Sequence, residues 1–303
     1  MSPIDPSLRI ASVTLAVGDL DRSVAFYEHV LGLPVIARDA RSAQLGVDPS
    51  DPALVLEAIE RPEPAPLGST GLFHVAWLHP TRAALADSVR RVAGAGARLQ
   101  GASDHGVSEA LYLSDPDGLG IELYADRPRE SWTRGASGQG VAMVTLPLDL
   151  EDLLAQGGEQ PGAEAAPGTA VGHVHMQVAD VPRALAFYRD VLGFEEQARL
   201  PSAAFVSAGG YHHHIGINSW RSRGGAPAPD SAPGLRLIEF ELAHPAALDA
   251  LTDELSQAAS SSTPAGATGA LASDEHGLAV SDPDGVALAF SLSGERDRAT
   301  LSR

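Results

Sequence analysis

The sequence predicts an α+β fold of four βαβββ units arranged in two halves. Two observations predict it. The segments VGDLDRSVAFYEHVLGL (17–33) and VADVPRALAFYRDVLGF (178–194) match at Val17/Val178, Asp19/Asp180, Arg22/Arg183, Phe26/Phe187, Tyr27/Tyr188 and Leu31-Gly32/Leu192-Gly193, at a constant offset of 161. A second pair, YLSDPDGLGIEL (112–123) and AVSDPDGVALAF (279–290), shares SDPDG. Self-similarity of this kind defines the structural unit before any residue is read singly.

Taken in order, the first and third units open on ASVTLAV (11–17) and GHVHMQV (172–178), which read as strands. Asp19 or Asp180 then begins an amphipathic helix that ends at Gly32 or Gly193. Short alternating runs follow: SAQLGV and ALVLEAI in the first unit, SAAFVSA and HHIGINSW in the third. The second and fourth units open on GLFHVAWL and LRLIEFEL, continue through helix-like ALADSVRRVAGAG and AALDALTDELSQ, and close on a tight SDPDG turn into a last strand. Residues 8–128 form the first half and 170–295 the second. Between them, 129–169 is a connecting segment whose AQGGEQPGAEAAPG (155–168) is a polar Pro/Gly linker. ASSSTPAGATGA (259–270) reads as a flexible loop.

Composition limits the chemistry. The 303 residues suffice for two ordinary domains, and 44% apolar content is that of a soluble globular protein. No apolar run approaches bilayer length and MSPIDPSLRIAS lacks a signal-peptide layout, so a cytoplasmic location is expected. There is no cysteine and no lysine, which excludes disulfides, thiolate metal sites, cysteine nucleophiles and Schiff bases. A net charge of −18 argues against nucleic acid or anionic membranes as partners. Any metal must be held by His, Asp, Glu or backbone. One carboxylate stands out: Glu122 lies between Ile121 and Leu123 in the last strand of the second unit. Either it faces water, or it is an ion among apolar side chains and needs a partner.

Four βαβββ units in two halves resemble the vicinal-oxygen-chelate (glyoxalase–bleomycin-resistance) superfamily, whose members pair such units into cup-shaped sheets around a divalent metal. The resemblance implies a ligand histidine five residues before the Val that precedes the helix. That position is His173 in the third unit but Ser12 in the first; the second unit carries His74, and the fourth offers Leu237, Ile238 and Glu239. The implied carboxylate ligand is Glu122 in the second unit, and the same count from SDPDG lands on Ala289 in the fourth. Two histidines and a carboxylate form the facial triad of non-haem Fe(II) oxygenases. Strand alternation cannot separate His173 from His175; the resemblance selects His173 through Gly172-His173.

The stretch from His105 through Leu111-Tyr112, Asp115-Pro116, Gly118 and Glu122 fills every required position of the extradiol dioxygenase signature, with Ser103 as a departure upstream. The fourth unit keeps His276-Gly277 and SDPDG but has Ala279 for the tyrosine. With YADRPRESW (124–132) and AGGYHHHIGINSW (208–220), the chain looks like the two-domain bacterial catechol-2,3-dioxygenases along nearly its whole length. That resemblance implies Fe(II), with Mn(II) compatible, held by His74, Glu122 and His173. It implies an aromatic diol and O2 as substrates and makes His213 the acid–base group, with His214 next in line. Tyr112 and His105 would bond the substrate. Alternation along a strand would then turn His213 inward and His212 and His214 away. The better-known extradiol enzymes keep their ligands in the second half, whereas here units two and three must share the cup. A homo-oligomer is compatible with all of this. Two other readings stay open: a glyoxalase I-like isomerase or lyase, which usually adds a Glu where this chain has YHHHIGIN, and a metal-free aromatic-binding protein.

Overall fold

The computed structural model describes residues 4–135, 140–260, 272–274 and 277–293. The first unit supplies β1 (Arg9–Val17), α1 (Leu20–His29), β2 (Val35–Arg38), β3 (Ser42–Leu45) and β4 (Leu54–Ala58). The second supplies β5 (Gly71–Leu78), α2 (Arg82–Gly94), β6 (Gly101–Asp104), β7 (Ser108–Ser114) and β8 (Gly120–Asp126). A connector carrying α3 (Leu150–Ala155) leads to β9 (Ala170–Gln177), α4 (Val181–Ala186, prolonged by a π turn), β10 (Glu195–Leu200), β11 (Ala203–Ser207) and β12 (Ile215–Asn218). The fourth unit holds β13 (Gly234–Leu242), α5 (Pro245–Ser260), β14 (Ala272–Asp274), β15 (Gly277–Ser281) and β16 (Ala287–Leu292). Most of the loop read at 259–270 and His276 lie outside the described residues.

Side-chain caps start the helices where the repeat places an aspartate: Asp19 accepts from Arg22 N–H and Asp180 from Arg183 N–H. The strands form two eight-stranded sheets, in the orders β10-β11-β12-β9-β5-β8-β7-β6 and β14-β15-β16-β13-β1-β4-β3-β2. Each sheet takes one unit from either half of the sequence. Antiparallel β5–β9 joins units two and three, and antiparallel β1–β13 joins units one and four. One apolar core, with Trp77, Leu85, Phe187 and Phe240 among its buried members, runs through both sheets.

The residues that define the repeat bolt these sheets together. Tyr27 on α1 donates to Asp115 in the β7–β8 turn at 3.3 Å, and Tyr188 donates to Asp282 in the β15–β16 turn at 3.0 Å. Asp117 accepts from Gly18 N–H (3.0 Å) and pairs with Arg22; Asp284 accepts from Ala179 N–H (3.1 Å) and Arg183 (3.0 Å). Every bond crosses from a unit in one sheet to a unit in the other.

The connector does more than link. Ala165 N–H donates to Gly32 O at 2.8 Å, and Arg91 donates to the carbonyls of Leu31, Gly162 and Glu164, so the predicted linker is fastened down. Residues 141–146 stretch between the two edge strands of the β5–β9 sheet. Val141 N–H donates to Gln197 O on β10, and Leu146 exchanges two 2.9 Å bonds with Asp104 on β6. No helix among the described residues is long and apolar enough to cross a membrane.

Candidate active site

β5 lies between β8 and β9, and Ala76 faces Glu122 on one side and His173 on the other. His74, two residues earlier on β5, is opposite His175. The small side chain of Ala76 therefore sits amid a ring of functional groups. Register shifts at Phe73 and Gly172 flank this row; such bulges re-aim side chains beside functional sites. A Cβ on Gly172 would overlap the Tyr124 hydroxyl, so the glycine before His173 is a packing requirement.

Glu122 is buried, which fixes the inward register. Its Oε2 lies 3.0 Å from His74 Nε2 and 3.4 Å from His173 Nε2, and the three donor atoms all fall within 4.8 Å of one another. His74 Nε2 is enclosed yet has no aligned hydrogen bond. A buried polar atom in that state is costly unless something else takes its lone pair. Burial pulls His173 down to about 4 and would raise Glu122, but the imidazoles of His173 and His74 hold the carboxyl well below its ordinary value. Two imidazole nitrogens beside one carboxylate oxygen make an N, N, O donor set that fits a divalent metal.

His175 shares the face but is engaged elsewhere. Its Nε2 accepts from Asn218 Nδ2 at 3.1 Å, and its ring rests on Gly216, where a Cβ would stand 2.9 Å from Cγ. The group opens into a cavity of about 620 Å³. Its apolar wall includes Phe73, Ile121, Phe205 and the half-exposed Trp220.

Tyr112, opposite Glu122 in the β7–β8 ladder, also lines this cavity. His105 Nδ1–H donates to Val144 O at 2.7 Å, and its Nε2 lies 2.7 Å from the Tyr112 hydroxyl. Burial, with Glu122 adding to it, pushes the Tyr112 phenol up, so it remains protonated. Sequence reasoning passed over Met143, Val144 and Thr145, which line the cavity from the connector; the signal was the apolar run VAMVTL in a polar segment.

The histidine run corrects one expectation. His212–His214 are not part of a strand; they form the turn between β11 and β12, so strand alternation does not orient them. Of the three, His213 lines the cavity, its ring 4.0 Å from that of His173. Burial, reinforced by neighbouring imidazoles, lowers its pKa well below the usual histidine range. His214 is turned out of the cavity: its Nδ1 accepts from Ala208 N–H at 3.2 Å and its ring packs on Tyr211. His212 is fully buried beside Asp126.

The family model of the Glyoxalase/Bleomycin resistance protein/Dioxygenase superfamily matches residues 9–123 and 170–290. A catechol-2,3-dioxygenase of Bacillus subtilis is 42% identical over 263 residues, covering 85% of this chain and 91% of the relative. A biphenyl-2,3-diol 1,2-dioxygenase of Rhodococcus globerulus is 30% identical over 129 residues, 41% of this chain and 67% of the relative. Among solved structures, glyoxalase I of Zea mays superposes with a TM-score of 0.59 at 16% identity, covering 96% of this chain and 94% of that one. This last likeness concerns the fold.

Proposed function

The chain belongs to the glyoxalase/bleomycin resistance protein/dioxygenase superfamily, and from that premise we propose that it is an extradiol ring-cleaving dioxygenase acting on a catechol-type diol in the cytoplasm. The observation that carries the reading is the cluster of His74, Glu122 and His173 at the wall of a cavity that also receives His213, Tyr112 and apolar rings. In this reading His74, Glu122 and His173 hold Fe(II), or Mn(II) on the same donors. When bound, such a metal acidifies a diol hydroxyl and brings the diol and O2 together.

The chain's own groups do the rest. The walls formed by Phe73, Phe205 and Trp220 take an aromatic ring and exclude water from it. His213, inside the cavity and beside His173, is the group placed to accept a diol proton and to return one at the oxygen end of the reaction. Tyr112, held by His105, keeps its own proton and supplies a fixed polar group to the second diol oxygen. The glyoxalase reading asks for a further carboxylate from the third unit's last strand, and β12 carries Ile-Gly-Ile-Asn. The test is anaerobic loading with Fe(II), followed by O2 consumption against a panel of substituted catechols. A yellow ring-fission product with stoichiometric O2 uptake is expected. Metal-replete protein that consumes no O2 with any catechol would overturn the proposal.

A further inference from the structure

The histidine beside His213 has no place in the function proposed above, yet it is the most completely buried of the run. His212 Nε2 lies 2.9 Å from Asp126 Oδ1, and its Nδ1 lies 2.8 Å from His213 Nδ1. The rings of Tyr124, Trp132 and Tyr211 surround it at 6.0, 5.4 and 4.1 Å, and the Tyr211 hydroxyl also donates to Asp126 Oδ1 at 3.2 Å. Asp126 and Trp132 belong to YADRPRESW, the motif to which the catalytic reading assigns nothing.

With both imidazoles neutral, the hydrogen bonds along this row have one consistent arrangement. A carboxylate oxygen can only accept, so His212 Nε2 carries the proton that points at Asp126. A neutral imidazole carries one proton, so His212 Nδ1 is an acceptor. The 2.8 Å contact then requires His213 to supply the donor, with its proton on Nδ1. His213 Nε2 is left bare. The reverse arrangement would set an imidazole lone pair against a carboxylate oxygen at 2.9 Å.

We propose that Asp126 and His212 are positioning residues that fix the tautomer and orientation of His213, so that its Nε2 lone pair is the one offered in the cavity. Resting on the dioxygenase reading, this adds how the proton acceptor is kept in its working form. No proton need travel along the row: Asp126 acts as an acceptor, not as a sink.

That distinction shapes the test. Asp126→Ala removes the acceptor, Asp126→Asn retains a neutral one, and His212→Phe keeps the ring volume among the three aromatic rings but breaks the row. Histidine-selective 15N NMR of the full metal-free chain, with the His213 signals identified by their loss in His213→Asn, reads the tautomer directly. The wild type and Asp126→Asn should show the proton on Nδ1; Asp126→Ala and His212→Phe should show it wholly or partly on Nε2. In the metal-loaded enzyme these two variants should lose about 10-fold to 100-fold in kcat, the usual effect of removing an orienting partner. KM and metal content should stay near wild type, and Asp126→Asn should retain most of kcat. An unchanged His213 tautomer in both Asp126→Ala and His212→Phe overturns the proposal, as does a changed tautomer with unchanged kcat. Loss of kcat in Asp126→Asn equal to that in Asp126→Ala would replace positioning with proton relay. If the metal-loaded wild type cleaves no catechol, the dioxygenase reading fails, while the tautomer measurement still decides the hydrogen-bond assignment.

Discussion

Replacing Asp282 with asparagine should stabilise the protein above neutral pH, because the side chain is an acid held in a medium that resists its charge. Oδ1 accepts from the N–H groups of Asp284 (2.9 Å) and Val286 (2.8 Å), and Oδ2 accepts from Tyr188. Burial nonetheless pushes the group up from 3.8 to about 6. The folded state therefore binds this proton more tightly than the unfolded state. The resulting stability is fully present below 3.8 and is lost as pH rises through 6. At about 1.4 kcal/mol per pKa unit, a rise of roughly two units costs about 3 kcal/mol once the group has ionised. Asparagine keeps the oxygen that two backbone amides need and turns an N–H toward Tyr188, whose hydroxyl also has Met176 Sδ at 3.9 Å. Allowing for weaker bonds to a neutral oxygen, we expect a gain of about 1–3 kcal/mol at pH 8. The assay is urea unfolding of wild type and Asp282→Asn from pH 5.5 to 8.5, above the sequence pI of about 4.9. The difference in stability should grow with pH and level off above 7. A variant destabilised at pH 8, or a difference that is flat across the range, would refute the reasoning.

Three further outcomes are expected. Glu122→Ala should abolish metal retention, measured by elemental analysis after gel filtration, while the far-UV circular dichroism stays that of the wild type; retained metal would remove Glu122 from the ligand set. His213→Asn should slow ring opening by about 10²–10⁴-fold, the range for losing general acid–base help, with metal content unchanged; parallel loss of metal would make it a ligand instead. Gly172→Ala should destabilise by about 1–3 kcal/mol through overpacking against the Tyr124 hydroxyl, and Tyr124→Phe in the same chain should recover part of that loss in a thermal melt; a neutral Gly172→Ala would show that β9 can move aside.

The units and their order were legible because the helix caps and SDPDG turns recur at fixed intervals. That Arg22, Tyr27 and both aspartates of the turn touch one another was not, since nothing in the local pattern says that α1 reaches across to the next unit's turn. The metal-ligand candidates could be picked out because the empty positions Ser12 and Ala289 served as a contrast. In the structure Glu239 faces both: it pairs with Ala289 and accepts from Ser12 Oγ. The histidine run misled in one respect. A stretch of residues leading into IGIN reads as more strand, but Gly209 and Gly210, both at positive φ, turn the chain and delay β12 until Ile215. The connector's share in the cavity showed in sequence only as the apolar run VAMVTL; Val144 also matters through its backbone carbonyl, which no side-chain pattern reports.

The crossing of the halves has a consequence for the order in which a growing chain can assemble. β5 joins β9 by pairings such as Gly71 with Gln177, whereas β1 must wait for β13, pairing Arg9 with Glu241. Loop closure costs more for the longer span, though the increase is slow. More telling is direction of synthesis. Once Asn218 has been made, all eight strands of the sheet bearing His74, Glu122 and His173 exist. At that moment β1 has β4 on one side and an open row of amides and carbonyls on the other. Such an edge invites pairing with other chains until its partner arrives. During translation one sheet can thus have all its strands while the opposite sheet is still half made and is the part of the nascent protein most in need of protection.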